Sequence, residues 1–142
     1  MKKGIYAFVV VTILLSAISC SSEKEIGIDR FNDFPDEING CACYYSANKT
    51  DFIKGSYIYA DNYQEHAYVS VNGKMMLFTL LSTTDVSEGY WVKTYSNSEY
   101  VLTVDSFEVW QVNQTWLQKG IMTLTSKDGK TIKETIYGEC GC

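Results

Sequence analysis

Four cysteines are the residues of this chain whose spacing indicates a definite chemistry. They form two C-x-C pairs, Cys41 with Cys43 near the start of a strand-rich region and Cys140 with Cys142 at its end. Residues two apart on a strand face the same side, so in an antiparallel pair Cys41 lies opposite Cys142 and Cys43 opposite Cys140. A bridge within one C-x-C is disfavoured, because alternate Cβ atoms on a strand lie about 7 Å apart. The shared register therefore predicts two disulfides that tie the first strand to the last.

The same four sulfurs allow a second interpretation, in which all four thiolates bind one metal ion. Zinc sites usually space their cysteines as C-x2-C to C-x4-C, and exported proteins reside where thiols are oxidised. Disulfides are therefore the favoured prediction, and a thiolate metal-binding protein is the alternative. With disulfides formed, we expect neither a bound metal nor another cofactor.

A fifth cysteine, Cys20, follows a segment with the features of an export signal. The chain begins with positive charge, residues 5–15 are apolar but short for a membrane span, and small residues precede the cysteine. The segment resembles a bacterial lipobox, which implies that residues 1–19 are a signal peptide and that Cys20 is acylated. Two or more acyl chains hold a protein stably on a membrane. The acidic residues that follow resemble export signals of Bacteroidota surface lipoproteins, which implies a cell-envelope location at the outer membrane or cell surface.

Charge excludes some classes of partner. The signal peptide carries two lysines and no acidic residue, so its removal takes the net charge from −5 to −7. Nucleic acids and anionic lipid headgroups each need a cluster of basic residues, and the sequence has none. Residues 20–39 are polar and acidic and contain the only proline, so we predict a flexible, lipidated tether there. The expected membrane contact is through lipid.

Residues suited to catalysis are scarce. His66 is the only histidine, and no serine or cysteine can be paired with it from the sequence. On its predicted strand it alternates with polar residues opposite an apolar face, as a solvent-facing histidine does. The G-x-S-x-G, H-E-x-x-H, phosphate-loop and dinucleotide-binding motifs are all missing. The sequence predicts no catalytic residue and a protein that is not an enzyme.

Aromatic residues, by contrast, make up 14% of the chain, and many alternate with polar residues on predicted strands. Tyr and Trp build rigid contact surfaces at low entropic cost. Loops held by a rigid scaffold often carry function, and one glycine-containing turn here leads directly into two adjacent aromatics. We therefore predict a binding site formed by Ser87, Gly89, Tyr90 and Trp91.

The elements that position these residues are strands. From residue 40 onward short runs of β-branched and aromatic residues predict one all-β domain over residues 40–142. Asn72-Gly73 is typical of a type I′ hairpin turn. Because the cysteines join the first and last strands, we predict a small antiparallel β-barrel or closed sandwich of about eight strands. The predicted strands cover residues 41–46, 52–60, 66–71, 74–82, 90–95, 100–105, 107–112, 116–125 and 131–140.

Two resemblances add to this picture. The segments C-A-C-Y-Y, Y-V-S-V-N-G-K and the C-terminal G-x-M-T-L-T-x-K-D-G-K-T…I-Y-G-E-C-G-C resemble a group of small uncharacterised Bacteroidota lipoproteins. More distantly, a lipid anchor followed by a cysteine-tied barrel is similar to the membrane-bound inhibitors of c-type lysozyme. In that family a loop with Ser, Gly and Tyr enters the lysozyme cleft, and Ser87-Glu88-Gly89-Tyr90 loosely resembles it. These resemblances imply a non-enzymatic binding or inhibitor module whose partner is an envelope or secreted protein such as lysozyme.

Overall fold

Nine strands and one short helix form the regular structure of residues 24–142, the part of the chain that this computed structural model describes. No helix within these residues is long and apolar enough to cross a bilayer. The elements are β1 (Ile28–Asp29), β2 (Ala42–Ser46), α1 (Lys49–Ile53), β3 (Tyr59–Asp61), β4 (His66–Val71), β5 (Lys74–Ser87), β6 (Tyr90–Ser96), β7 (Tyr100–Val112), β8 (Thr115–Ser126) and β9 (Thr131–Gly141).

Strands β2 to β9 form a closed antiparallel barrel of eight strands. Each of the strands from β4 to β8 pairs with the next one along the chain, and β2 pairs with β9, so the first and last barrel strands are neighbours. Strand β3 joins β2 to β4 and completes the ring. The prediction of a small antiparallel barrel with adjacent terminal strands is confirmed. Register also places Cys43 directly opposite Cys140.

Local chemistry explains where the strands differ from the prediction. The strand predicted at residues 52–60 is confirmed only at residues 59–60, which begin β3, because Asn48 caps helix α1 at the start of this range. Its side chain accepts a hydrogen bond from the backbone N–H of Asp51, and the helix ends before Gly55 at φ +68°. The two runs predicted at 100–105 and 107–112 are one strand, β7, with an irregularity between Glu108 and Trp110. The Asn72-Gly73 turn forms with positive φ at both residues, as predicted.

Residues 26–39 lie against the barrel, although their composition predicted a tether. Ile26 and Ile28 pack against the core, and Gly27 exchanges two hydrogen bonds with Asn72. Phe34 lies 4.8 Å from Tyr57, measured between ring centroids. The apolar residues of this segment that contact the barrel are Ile26, Ile28, Phe31 and Phe34, contacts that the polar composition did not predict. The aromatic cluster on this outer wall contains Phe31, Phe34, Tyr44, Phe52, Tyr57 and Tyr137.

The barrel has a closed end and a mouth. The closed end contains the Asn72-Gly73 turn and residues 26–28, which lie beside it. Four side chains pack against the core there, namely Ile26, Ile28, Tyr100 and Ile132. At the mouth, β5 continues through residues 80–87 beyond its pairing with β4, so the wall is taller on the side of β5 and β6. The core between the two ends is filled by side chains such as Val69, Phe78, Leu102, Met122, Leu124 and Ile136.

Gly138 permits the close approach of β2 and β9 beside the mouth. A Cβ added at Gly138 would lie 2.1 Å from the carbonyl oxygen of Tyr44 and 2.8 Å from Cδ1 of Tyr45. Any larger residue would therefore push apart the strands that close the ring. The absent side chain also leaves room for the buried ring of Tyr45, which lines the site described next.

Candidate functional site

A pocket of about 390 Å³ opens at the mouth of the barrel. Its volume falls in the range of small-molecule sites, roughly 300 to 1,000 Å³. Aromatic rings and one disulfide form its apolar walls, and a few polar side chains point into it. The lining residues are Cys43, Tyr45, Tyr63, Thr83, Trp91, Lys93, Ser106, Glu108, Trp116, Gln118 and Cys140.

The strand pleat places these side chains together. On β6, Trp91 and Lys93 alternate with outward residues and share a face with buried Tyr95. On β8, Trp116 and Gln118 follow the same alternation. Strand β5 has an irregularity between Leu80 and Ser82, after which Thr83 faces Lys93 in register and reaches the pocket.

A buried carboxylate, Asp61, lies directly beneath the pocket and is 2% exposed. Oδ1 accepts hydrogen bonds from the backbone N–H of Cys43 at 3.3 Å and of Tyr63 at 2.9 Å. Oδ2 accepts one from the hydroxyl of Tyr59 at 2.6 Å, and the hydroxyl of Tyr95 lies 3.5 Å away. Both carboxylate oxygens are thus engaged, as a buried acid requires.

The tyrosines around Asp61 stay protonated and act as donors. Burial, followed by the negative charge of Asp61, raises the pKa of Tyr59 well above its ordinary value. The same two causes raise the pKa of Tyr45, whose ring stacks on Tyr59 with centroids 5.1 Å apart. The Tyr45 hydroxyl donates to Oε1 of Gln118 at 3.2 Å. The floor of the pocket is therefore a fixed hydrogen-bonded layer of side chains.

Lys93 is the cation of the pocket lining and is 25% exposed. Its Nζ lies 3.6 Å from Oδ2 of Asp61, beyond hydrogen-bond distance, and 5.7 Å from the ring centroid of Tyr63. Within residues 24–142 this ammonium forms an ion pair with Asp61 but has no hydrogen-bond acceptor, so its N–H groups are available to a ligand. Glu108 is the lining acid, and burial followed by repulsion from Glu88 raises its pKa.

The residues of the predicted binding turn, 87–91, do not all point to the same side of the barrel wall. Trp91 lines the pocket, whereas Tyr90 points to the outer face and its hydroxyl donates to Asp105 at 3.1 Å. Gly89 stands at the hairpin tip with φ +73°, and its carbonyl oxygen accepts a hydrogen bond from the backbone of Glu108. Ser87 is exposed at the end of β5. The structure therefore brings Trp91 into the pocket and leaves the other three residues outside it.

The cysteines are disulfide-bonded as the register predicts. Cys41 pairs with Cys142 and Cys43 pairs with Cys140, each with Cα atoms 4.0 Å apart. The second bridge forms part of the pocket wall. The thiolate alternative would need the reduced protein, because these sulfurs are bonded to one another. Among the described residues no cluster of His, Cys, Asp and Glu is arranged to hold a metal ion. Cys20 lies outside the described residues.

Asp61, Lys93 and Trp116 contribute to the site but were not predicted from the sequence. Lys93 carried a usable signal, since it stands between Trp91 and Tyr95 on one face of its strand, where an apolar residue is expected. Asp61 gave no such signal, because its strand has only three residues and shows no clear alternation. His66 lies outside the pocket lining, with Nδ1 2.8 Å from a carboxylate oxygen of Glu37. Comparisons with protein-family models, curated proteins and solved structures found no match to this chain.

Proposed function

We propose that this chain is a lipid-anchored protein of the bacterial cell envelope whose barrel binds a small ligand at its mouth without catalysing a reaction. The observation that carries the proposal is the pocket itself. Aromatic walls with a few convergent polar groups are the usual lining of a small-molecule site. The pocket also rests on a rigid, disulfide-tied scaffold, which favours binding to a preformed surface.

The chemistry of the pocket favours binding over catalysis. A general base needs a carboxylate or imidazole within reach of the substrate. Both oxygens of Asp61 already accept hydrogen bonds, and the carboxylate is buried beneath the lining. Within residues 24–142 the Glu108 carboxylate forms no hydrogen bond with a nucleophilic side chain. The lining therefore offers groups that hold and orient a ligand.

The direction of the N-terminal segment supports an outward-facing pocket. Ile26 lies at the closed end, beside Lys130 and Ile132. An acyl anchor on Cys20 would join the barrel at this end, because few residues separate Cys20 from Ile26. The mouth would then face away from the membrane, where a ligand can enter from the surrounding medium.

Filling the pocket tests the proposal. Thr83 lines the mouth, and Thr79 is exposed on the same strand but not in the pocket lining, so Thr83→Trp and Thr79→Trp are matched variants. We expect the small-molecule fraction of an envelope extract to raise the melting temperature of the unmodified protein and of Thr79→Trp. The same fraction should not stabilise Thr83→Trp, because its binding volume is occupied. Equal stabilisation of all three proteins, or of none, would contradict the proposal.

Acylation of Cys20 is tested by fractionation. Cys20→Ala removes the only thiol that the lipobox-like segment presents for modification. We expect the variant to leave the membrane fraction or to retain its first residues unprocessed. Metabolic labelling with a fatty-acid analogue should mark the unmodified protein and not the variant. A variant that fractionates and migrates like its parent would refute the lipoprotein assignment.

Inhibition of c-type lysozyme is a second candidate. The observation that favours it is the position of Ser87, Glu88 and Gly89 at the tip of the β5–β6 hairpin, where a partner's cleft has access. If the hairpin inserts, micromolar protein should inhibit lysozyme, and Glu88→Ala should weaken inhibition while Glu99→Ala, in the turn at the opposite end, should not. Full lysozyme activity at that concentration would remove this candidate and leave the pocket proposal standing.

A further inference from the structure

The polar groups of the mouth pocket include both donors and acceptors. Lys93 and the amide nitrogen of Gln118 are donors, and neither has a hydrogen-bond acceptor within residues 24–142. Glu108 supplies an acceptor, and the hydroxyls of Thr83 and Ser106 can serve as either. These groups lie between aromatic side chains, so the lining combines apolar surfaces with separate hydrogen-bonding groups.

The charges of the pocket disfavour a strongly charged ligand. An anion that reaches Lys93 also approaches Asp61, whose Oδ2 is 3.6 Å from the same Nζ, and it shares the pocket with the acid Glu108. A cation that approaches Glu108 meets the ammonium of Lys93 in the same pocket. A purely apolar ligand would cover Lys93 and Gln118 without supplying an acceptor, which is costly for buried donors.

A neutral ring with many hydroxyl groups satisfies all of these conditions. Each hydroxyl is both a donor and an acceptor, so one molecule can bind Lys93, Gln118 and Glu108 without carrying charge. The carbon-bound hydrogens of such a ring form a weakly apolar face that packs on an aromatic side chain. Trp91 and Trp116 provide that surface, and the volume of about 390 Å³ accommodates a small saccharide.

We propose that the mouth pocket binds a neutral saccharide of about one or two rings. The sugar ring packs against Trp91 and Trp116, and its hydroxyls accept from Lys93 and Gln118 and donate to Glu108. This inference rests on the proposed function and specifies the ligand class of the same site.

The test uses the full-length chain in phosphatidylcholine nanodiscs, screened against an array of neutral mono- and disaccharides. Hits are titrated by calorimetry beside three analogues, namely the corresponding uronic acid, the corresponding amino sugar and cyclohexylmethanol. We expect at least one neutral saccharide to bind more tightly than all three analogues. Because this ligand series uses the unmodified protein, it is decisive even if a pocket variant folds poorly.

Variants then locate the site. Trp91→Leu and Trp116→Leu should each weaken saccharide binding by about tenfold or more. Trp110→Leu is the matched control, since Trp110 lies on the outer face and is 66% exposed, and its affinity should stay unchanged. The inference is overturned if no neutral saccharide binds, if a charged or apolar analogue binds as tightly, or if Trp110→Leu has the same effect as the pocket variants.

The failure of this inference can be distinguished from failure of the proposed function. If envelope extract stabilises the protein but not Thr83→Trp, while no saccharide binds, the pocket takes a ligand of another class. If the extract does not stabilise the protein and no saccharide binds to it, both proposals are wrong.

Discussion

Replacing Asp61 with alanine is expected to destabilise the protein by about 3 to 5 kcal/mol, because it removes a buried carboxylate together with the ion pair and the hydrogen bonds that it forms. The substitution leaves the backbone N–H groups of Cys43 and Tyr63 without their acceptor. It also leaves Lys93 without a countercharge and Tyr59 without the oxygen to which it donates. Denaturant unfolding of the variant should show the loss as a lower midpoint with an unchanged slope.

Asp85→Ala provides the control for this prediction. Asp85 is exposed on β5, and the structure gives it no ion pair among the described residues, so its removal should change stability by less than about 0.5 kcal/mol. Adding Lys93→Met to Asp61→Ala should recover part of the loss, because it removes the uncompensated ammonium. An Asp61→Ala protein as stable as its parent would mean that the hydrogen-bonded layer beneath the pocket is absent.

Loss of both disulfides is expected to cost about 4 to 5 kcal/mol in the chain-entropy model, because a bridge between the ends closes a loop of about a hundred residues. The two bridges span 101 and 97 residues and lie side by side on β2 and β9. Once one bridge exists, the other closes only a small additional ring. Replacing exposed Cys41 and Cys142 with alanine should therefore cost about 1 kcal/mol or less, while replacing all four cysteines should cost the full amount.

The measurement is denaturant unfolding of the parent, the outer-bridge variant and the four-cysteine variant under non-reducing conditions. The outer-bridge variant is expected to lose much less stability than the four-cysteine variant. Equal costs for the outer bridge and for all four cysteines would contradict this account. Free thiols together with bound zinc in protein purified without reductant would instead support the thiolate alternative.

The barrel and its closure could be predicted from the sequence because two local signals agreed. Strand alternation and the Asn72-Gly73 turn indicated antiparallel neighbours, and the C-x-C pairs indicated that the first and last strands meet. Helix α1 was missed, because the side chain of Asn48 begins a helix within residues that resemble a strand. The packing of Ile26 and Phe34 on the barrel was also missed, because their partners are distant in sequence and do not alter the local composition.

The pocket could be predicted only in part. Trp91 was selected because of its adjacent glycine turn, but the pleat directs Tyr90 to the opposite face, so two neighbours in sequence have different surroundings. Asp61 and Lys93 meet across strands that are not adjacent along the chain. Their 3.6 Å contact depends on barrel closure, which no local pattern encodes.

Ligand binding in the mouth pocket can be observed directly through the indole N–H resonances of the isotope-labelled protein. The chain has three tryptophans, of which Trp91 and Trp116 line the pocket and Trp110 lies exposed on the outer face. On addition of the small-molecule fraction of an envelope extract, we expect saturable shifts of the Trp91 and Trp116 resonances, while the Trp110 resonance stays in place. A shift confined to Trp110, or no shift of any of the three, would contradict ligand binding in the mouth pocket.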